Sequence, residues 1–140
     1  MAFEINKVDI WVGGLPDRPR ALMKRLAVLS KAGANLEFVI ARQDKRGKAV
    51  VFMAPLKGTA QIRAAAEAEL SKAARMHALR VEGPNRPGLG ELITRALGDE
   101  GLNLRGLSAA AIGGRSVTYL RFRNSDDVQR ARRALQRVLR

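Results

Sequence analysis

The chain has 140 residues, enough for one ordinary domain or two very small ones, and no cysteine, which excludes disulfides and thiolate metal sites. The apolar share of 46% is that of a globular protein, the aromatic share of 4% leaves a core of Leu, Val, Ile and Ala, and no apolar run reaches the about 18 residues of a membrane span. Twenty-six Lys and Arg against 13 Asp and Glu give a net charge of +13, which fits either anionic partners or a solvated Arg-rich surface.

In chain order, residues 1–7 offer no apolar stretch suited to a signal peptide, so a cytoplasmic protein is expected. Val8, Ile10 and Val12 alternate with Asp9, Trp11 and Gly13 as in one half-buried strand, with Trp11 on the outer face as a candidate interface anchor. A Pro-rich turn follows. Leu22, Leu26 and Leu29 then recur at helical spacing, and Gly33 ends that helix. Residues 35–41 read as a strand with Leu36, Phe38 and Ile40 on one face. Asp44-Lys45-Arg46-Gly47 is a hairpin turn into a strand at 49–53. Residues 58–74 read as an Ala-rich helix containing Ile62, Ala66 and Leu70.

The same order then repeats: a strand at 76–82, a helix marked by Leu89, Ile93 and Leu97 and stopped by Gly101, a strand at 103–110, a Gly113-Gly114 turn and a strand at 116–122. A last helix opens on Asp126-Asp127 and buries Val128, Ala131, Leu135 and Val138. Pro16, Arg18 and Pro19 fall on Pro84, Arg86 and Pro87 under the same ungapped shift that places Gly33, Asn35 and Leu36 on Gly101, Asn103 and Leu104. The expectation is an α+β protein of two ferredoxin-like repeats, 1–72 and 73–140, each an antiparallel sheet with helices on one face. A four-stranded sheet needs a closing strand after each second helix. The second copy ends without one, so strand sharing, strand exchange and incomplete sheets all remain open.

The stretch Asn85-Arg86-Pro87-Gly88-Leu89, followed by Gly101-Leu102-Asn103-Leu104, carries the chemistry. A Pro-Gly turn lets a ligand approach the backbone, and the helix N-terminus behind it favours a carboxylate. Asn85 and Asn103 each offer an amide that can donate or accept. This pattern resembles the signature of ACT domains, the amino-acid-sensing modules of biosynthetic enzymes. The first copy matches it less closely, with Asp17-Arg18-Pro19-Arg20 and Gly33-Ala34-Asn35-Leu36. The resemblance implies a non-catalytic regulatory protein that binds an amino acid or related metabolite, pairs as a homodimer and acts on a partner enzyme. In the ACT module of phosphoglycerate dehydrogenase, Asn at these two places hold serine at a domain–domain interface, with the ligand between loops of one module and strands of another, and a His lies two positions before the first. That matching makes Asn85, Arg86, Pro87, Gly88, Leu89, Gly101 and Asn103 the expected ligand residues, with Gly83 where the His would be. Asp17, Arg20 and Asn35 are their counterparts in the first copy, where Arg20 either clamps a carboxylate or fills the site.

Plainer readings stand beside these. Asn35 and Asn103 can simply bond the turn backbone, and Gly88 and the prolines can simply shape a loop. His77 is the lone histidine and has no cysteine to join it in a metal site; no cofactor is expected, and no phosphate-binding loop motif occurs. The rival function is nucleic-acid binding on the same scaffold, using Arg130, Arg132, Arg133, Arg137 and Arg140 of the final helix. Interleaved aromatic residues, which would strengthen it, are nearly absent there.

Overall fold

A computed structural model describes residues 3–140. It divides into two compact units, Asp9–Ala73 and a second formed by Ala74–Arg140 together with the first strand of the chain. Each is a four-stranded antiparallel sheet with two helices, the α+β ferredoxin-like arrangement expected from the repeat.

The first unit runs β2 (Trp11–Pro16), α1 (Ala21–Lys31), β3 (Phe38–Gln43), β4 (Lys48–Ala54), α2 (Gly58–Glu67) and β5 (Ser71–Lys72), preceded in the chain by β1 (Glu4–Val8) of the other unit. Its sheet order is β3-β4-β2-β5. The second unit runs β6 (His77–Pro84), α3 (Leu89–Asp99), β7 (Gly106–Ile112), β8 (Arg115–Phe122) and α4 (Ser125–Val138), in the sheet order β1-β6-β8-β7.

This resolves the missing closing strand. The first sheet is closed by the two-residue β5, which pairs with Trp11 and Val12. The second is closed by the start of the chain: Glu4–Val8 lies antiparallel on β6, with Ile5 opposite Val81. The expected division at 72/73 is therefore crossed by β1, and the continuous strand expected through Val8, Ile10 and Val12 is two strands in two sheets. The reason is packing. Ile5 is buried with Leu79, Val81, Leu120 and Leu135, whereas Trp11 and Leu15 pack with Leu29, Val51, Met53 and Ala65. In β2 the face turned to the core thus carries Trp11, Gly13 and Leu15 rather than Val12, and Trp11 is half-buried against its own module.

Helix α3 matches its sequence pattern, with Leu89, Ile93 and Leu97 all buried. In α4 the buried stripe is Val128, Ala131, Ala134 and Leu135, while Val138 is partly exposed. Asn124 caps it, its side-chain oxygen accepting from the Asp127 N–H at 2.8 Å, and Asp126 and Asp127 lie in the first turn where negative charge is favoured. The Ala-rich helix is shorter than its composition suggests. It stops at Glu67, Glu69 takes a left-handed conformation (φ 61°), and Leu70 turns back into the core ahead of β5. Its buried residues are Ala64 and Ala65, and Ile62 is 49% exposed, so the apolar stripe expected through Ile62 and Ala66 faces outward.

On the face of the second sheet away from its core, Glu82 accepts from Arg80 at 2.7 Å and from Arg115 at 3.1 Å. The Arg80 hydrogen bond, then the Arg115 hydrogen bond, hold its carboxyl below the ordinary value of 4.5. A carboxylate depressed in the folded state stabilises at pH values above its unfolded pKa, and that contribution is lost as the pH falls through the folded value. Glu82→Gln is expected to cost up to about 1 kcal/mol at pH 7, solvent screening keeping it small, and nothing once wild-type Glu82 is protonated. Urea denaturation at neutral and acid pH checks this.

Candidate functional site

In the second module the loop after β6 is clamped to the β7–β8 turn, the Asn85 N–H donating to Gly114 O at 2.8 Å. Gly88 (φ 82°) then starts α3 in a left-handed conformation, with no side chain capping the helix. The Leu89 N–H bonds back to Arg86 O at 3.3 Å. Between this loop and the edge strand β7 lies a cleft of about 290 Å³. Asn85, Arg86, Gly88 and Leu89 of the expected site residues line it, and Pro87 lies in the same turn without lining it.

The sequence reading missed the rest of this cleft. Ile93 and Leu107 supply its apolar wall, Ala109 to Ala111 leave room along β7, and the buried hydroxyl residues Ser116 and Thr118 come from β8. Ser116 Oγ donates to Gly83 O at 3.2 Å. Alternation along 103–110 and 116–122 gives a faint signal for strand residues facing the loop, but small residues carry no ligand signature of their own. Among the described residues the lining holds one cation, Arg86, and no acid. It thus joins a guanidinium and an uncapped helix N-terminus, both favouring a carboxylate, to an apolar wall.

Asn103 and Gly101 are not in this cleft. Asn85 precedes α3 and Asn103 follows it, and eleven helical residues rise about 16 Å. The hydrogen bonds at the two ends agree: Asn85 bonds the turn before β8, whereas the Arg105 N–H bonds Arg121 O near the end of β8. Asn85 and Asn103 of one module therefore line separate clefts, and the interface site expected for them would take the two from different modules. Gly101 and Asn103 line a separate polar cleft with Arg105, Arg123 and Asp127.

Gly83 also has a physical explanation. A Cβ built there would lie 2.2 Å from a ring carbon of Phe3, which packs at the margin of the core beside it. The Arg86 guanidinium stands over the same ring, 5.8 Å from its centre, a cation–π contact. The space that a side chain at position 83 would enter is taken by the Phe3 ring.

The first module keeps the loop scaffold. The Asp17 N–H donates to Gly47 O at 3.0 Å, as Asn85 does to Gly114. The Asp17 carboxylate is occupied by the Gln43 side-chain amide. Arg20 stands where Gly88 does and adopts the same left-handed backbone, φ 74°. Asn35 is exposed beyond the far end of α1. A cleft in this module, of about 330 Å³, lies between α1 and α2 and includes none of the expected residues. A left-handed non-glycine residue costs about 1 kcal/mol. Arg20→Gly should therefore raise the stability of the first module by up to about 1 kcal/mol, and Gly88→Ala should lower that of the second by about 1 kcal/mol or more. Denaturant midpoints of the two variants, moving in opposite directions, check the pair.

The chain resembles solved structures over nearly its whole length. One is a Bacteroides thetaiotaomicron protein, with TM-score 0.79 and 15% identity, covering 96% of this chain and 90% of that one. Another is the regulatory subunit of aspartate kinase from Thermus thermophilus, with TM-score 0.65 and 14% identity, covering 98% and 96%. This is the ACT-type fold. A C-terminal regulatory domain of aspartate kinase from Porphyromonas gingivalis shares it, with TM-score 0.55 and 13% identity over 98% of this chain and 96% of that one. No protein-family model and no curated protein sequence matches the chain. At such identities the likeness establishes the two ACT-like modules as a fold, and the chemistry of the site rests on the residues described above. Among the described residues no helix is long and apolar enough to cross a membrane.

Proposed function

We propose that the protein is a non-catalytic regulatory module that binds a small carboxylate-bearing metabolite, an amino acid or a close relative, in the cleft of its second ACT-like module. The observation that carries this reading is the cleft itself: Asn85, Arg86 and Gly88 sit on the N-terminus of α3 beside the apolar wall of Ile93 and Leu107. The carboxylate lies against Arg86 and the first-turn N–H groups, Asn85 takes a second polar group, and the remainder packs on the wall. Serine is disfavoured relative to the phosphoglycerate dehydrogenase module, because the place of its His is filled by Phe3. In the first module Asp17 is held by Gln43 and Arg20 replaces the turn glycine, which supports a structural role for that loop.

Among the described residues no strand pairs with the outer edges of β3 and β7, and Val39, Ile40, Leu107 and Ile112 are exposed along them. This supports pairing of two copies, since unprotected edges recruit strands, and Asn103 of a second copy could then approach the ligand. The output is regulation of a partner enzyme in the cytoplasm. The nucleic-acid reading is less well supported. Arg137 pairs with Glu100, Arg130 bonds the Glu100 carbonyl and pairs loosely with Asp127, and Arg132 is half-buried. Thermal melting against the twenty amino acids tests the proposal, because a ligand that binds only the folded state raises the midpoint. At least one amino acid should do so at millimolar concentration, and for at least one of them Arg86→Ala should abolish the rise. No shift with any of them would overturn the reading.

A further inference from the structure

At the opposite end of the second module, Gly101, Asn103, Arg105, Arg123 and Asp127 line a cleft of about 230 Å³. It shares no residue with the first cleft. It is smaller than the about 300–1,000 Å³ of sites for drug-sized ligands, so it admits only a small molecule. Its lining is polar and of mixed charge, two guanidiniums and one carboxylate.

Asp127 is the unusual member. Its side chain is only 8% exposed, yet its two ion pairs are long, 3.5 Å to Arg123 and 3.7 Å to Arg130. Charge-assisted hydrogen bonds close to about 2.7–2.9 Å, so this buried carboxylate retains acceptor capacity toward the cleft. Its position is fixed, because its own N–H is held by the Asn124 cap. Arg130 is drawn away, donating to the carbonyl of Glu100. Arg105 makes no ion pair among the described residues, and its backbone is anchored to β8 through Arg121 O. Arg123 is two-thirds exposed, with Asp127 as its partner.

A buried carboxylate beside two exposed guanidiniums, among the described residues one unpaired and one held only by a long ion pair, is matched by a ligand that carries both charges a short distance apart. A simple anion meets Asp127 with repulsion, and a simple cation meets Arg105 and Arg123. We infer that this cleft is a second, independent binding site for a small zwitterion of the α-amino-acid type. Its carboxylate is received by Arg105 and Arg123, its ammonium by Asp127, and Asn103 bonds whichever group lies nearer. The inference does not depend on the reading of the first cleft.

Calorimetric titration of the full chain with the twenty amino acids, acetate and ethylamine tests it, using wild type, Arg105→Gln and Arg86→Ala. Arg105 is exposed with no ion pair to lose, so Arg105→Gln should fold normally. The expected result is an amino acid whose binding is weakened about tenfold by Arg105→Gln, is unchanged by Arg86→Ala, and is not reproduced by acetate or ethylamine. Binding sensitive to Arg86→Ala alone would overturn this inference and leave the first cleft standing. Binding sensitive to Arg105→Gln alone would support it while removing the first. Acetate binding as tightly as the amino acid, or no binding by any amino acid, would overturn it.

Discussion

Deleting residues 1–8 is expected to unfold the second module while the sheet of the first persists. The strand Glu4–Val8 completes the second sheet through a five-residue ladder on β6 and brings Ile5, 6% exposed, into the core with Leu79, Val81 and Leu135. Ile5→Ala alone should cost about 2–5 kcal/mol, the range for a buried large-to-alanine change. Removing the whole strand also strips Phe3 from the core margin and leaves the β6 N–H and C=O groups that face β1 without protein partners. The sum is comparable with the about 5–15 kcal/mol that holds a domain of this size together. Hydrogen exchange reads the effect locally. In the truncated chain the amides of β6 and β8 should lose protection while those of β2 and β4 keep it, and a peptide of residues 1–8 added in trans should restore the loss. Retained protection in β6 would contradict the strand assignment.

Gly83→Ala is the second large effect, and it is expected to depend on Phe3. The new methyl would stand 2.2–2.7 Å from three ring atoms of Phe3, closer than any real contact. The ring must move, losing its packing on the core margin and its contact with Arg86. Overpacking of this kind costs about 1–3 kcal/mol. Phe3→Ala alone also destabilises, but it removes the obstruction, so Gly83→Ala should be nearly silent in its background. The double-mutant cycle should therefore give a strong coupling between two residues distant in sequence. Additive effects in denaturant titrations would show that the ring does not occupy that space.

Much of the fold is legible in the sequence because its signals are local. Leu89, Ile93 and Leu97 mark one face of α3, and the matching positions of Gly33 and Gly101, of Asn35 and Asn103, and of the two Pro-rich turns expose the duplication. What escapes is set by packing at a distance. The apolar alternation runs through Val8, Asp9 and Ile10 without a turn residue, so nothing marks the point where the chain leaves one sheet for the other. Nothing in 58–74 is a glycine or proline that would stop the helix after Gly58. Its end is imposed by Leu70 entering the core, at the cost of a left-handed Glu69.

The candidate site is legible to a similar degree. Asn85, Arg86, Gly88 and Leu89 are adjacent in sequence, and the loop presents them together. Asn85 and Asn103 belong to the same sequence motif, but a three-turn helix separates them. Ser116, Thr118 and the alanines of β7 reach the cleft by strand pairing, which a single sequence does not disclose.

Amide spectra of the protein, recorded with and without an amino acid whose stabilising effect Arg86→Ala abolishes, test the ligand cleft at the N-terminus of α3 most directly. The largest changes should fall on Asn85, Arg86, Gly88 and Gly90, with Ser116 and Thr118 beneath them and the equivalent Asp17–Arg20 loop unmoved. Changes confined to the first module, or spread without a maximum at this loop, would contradict it.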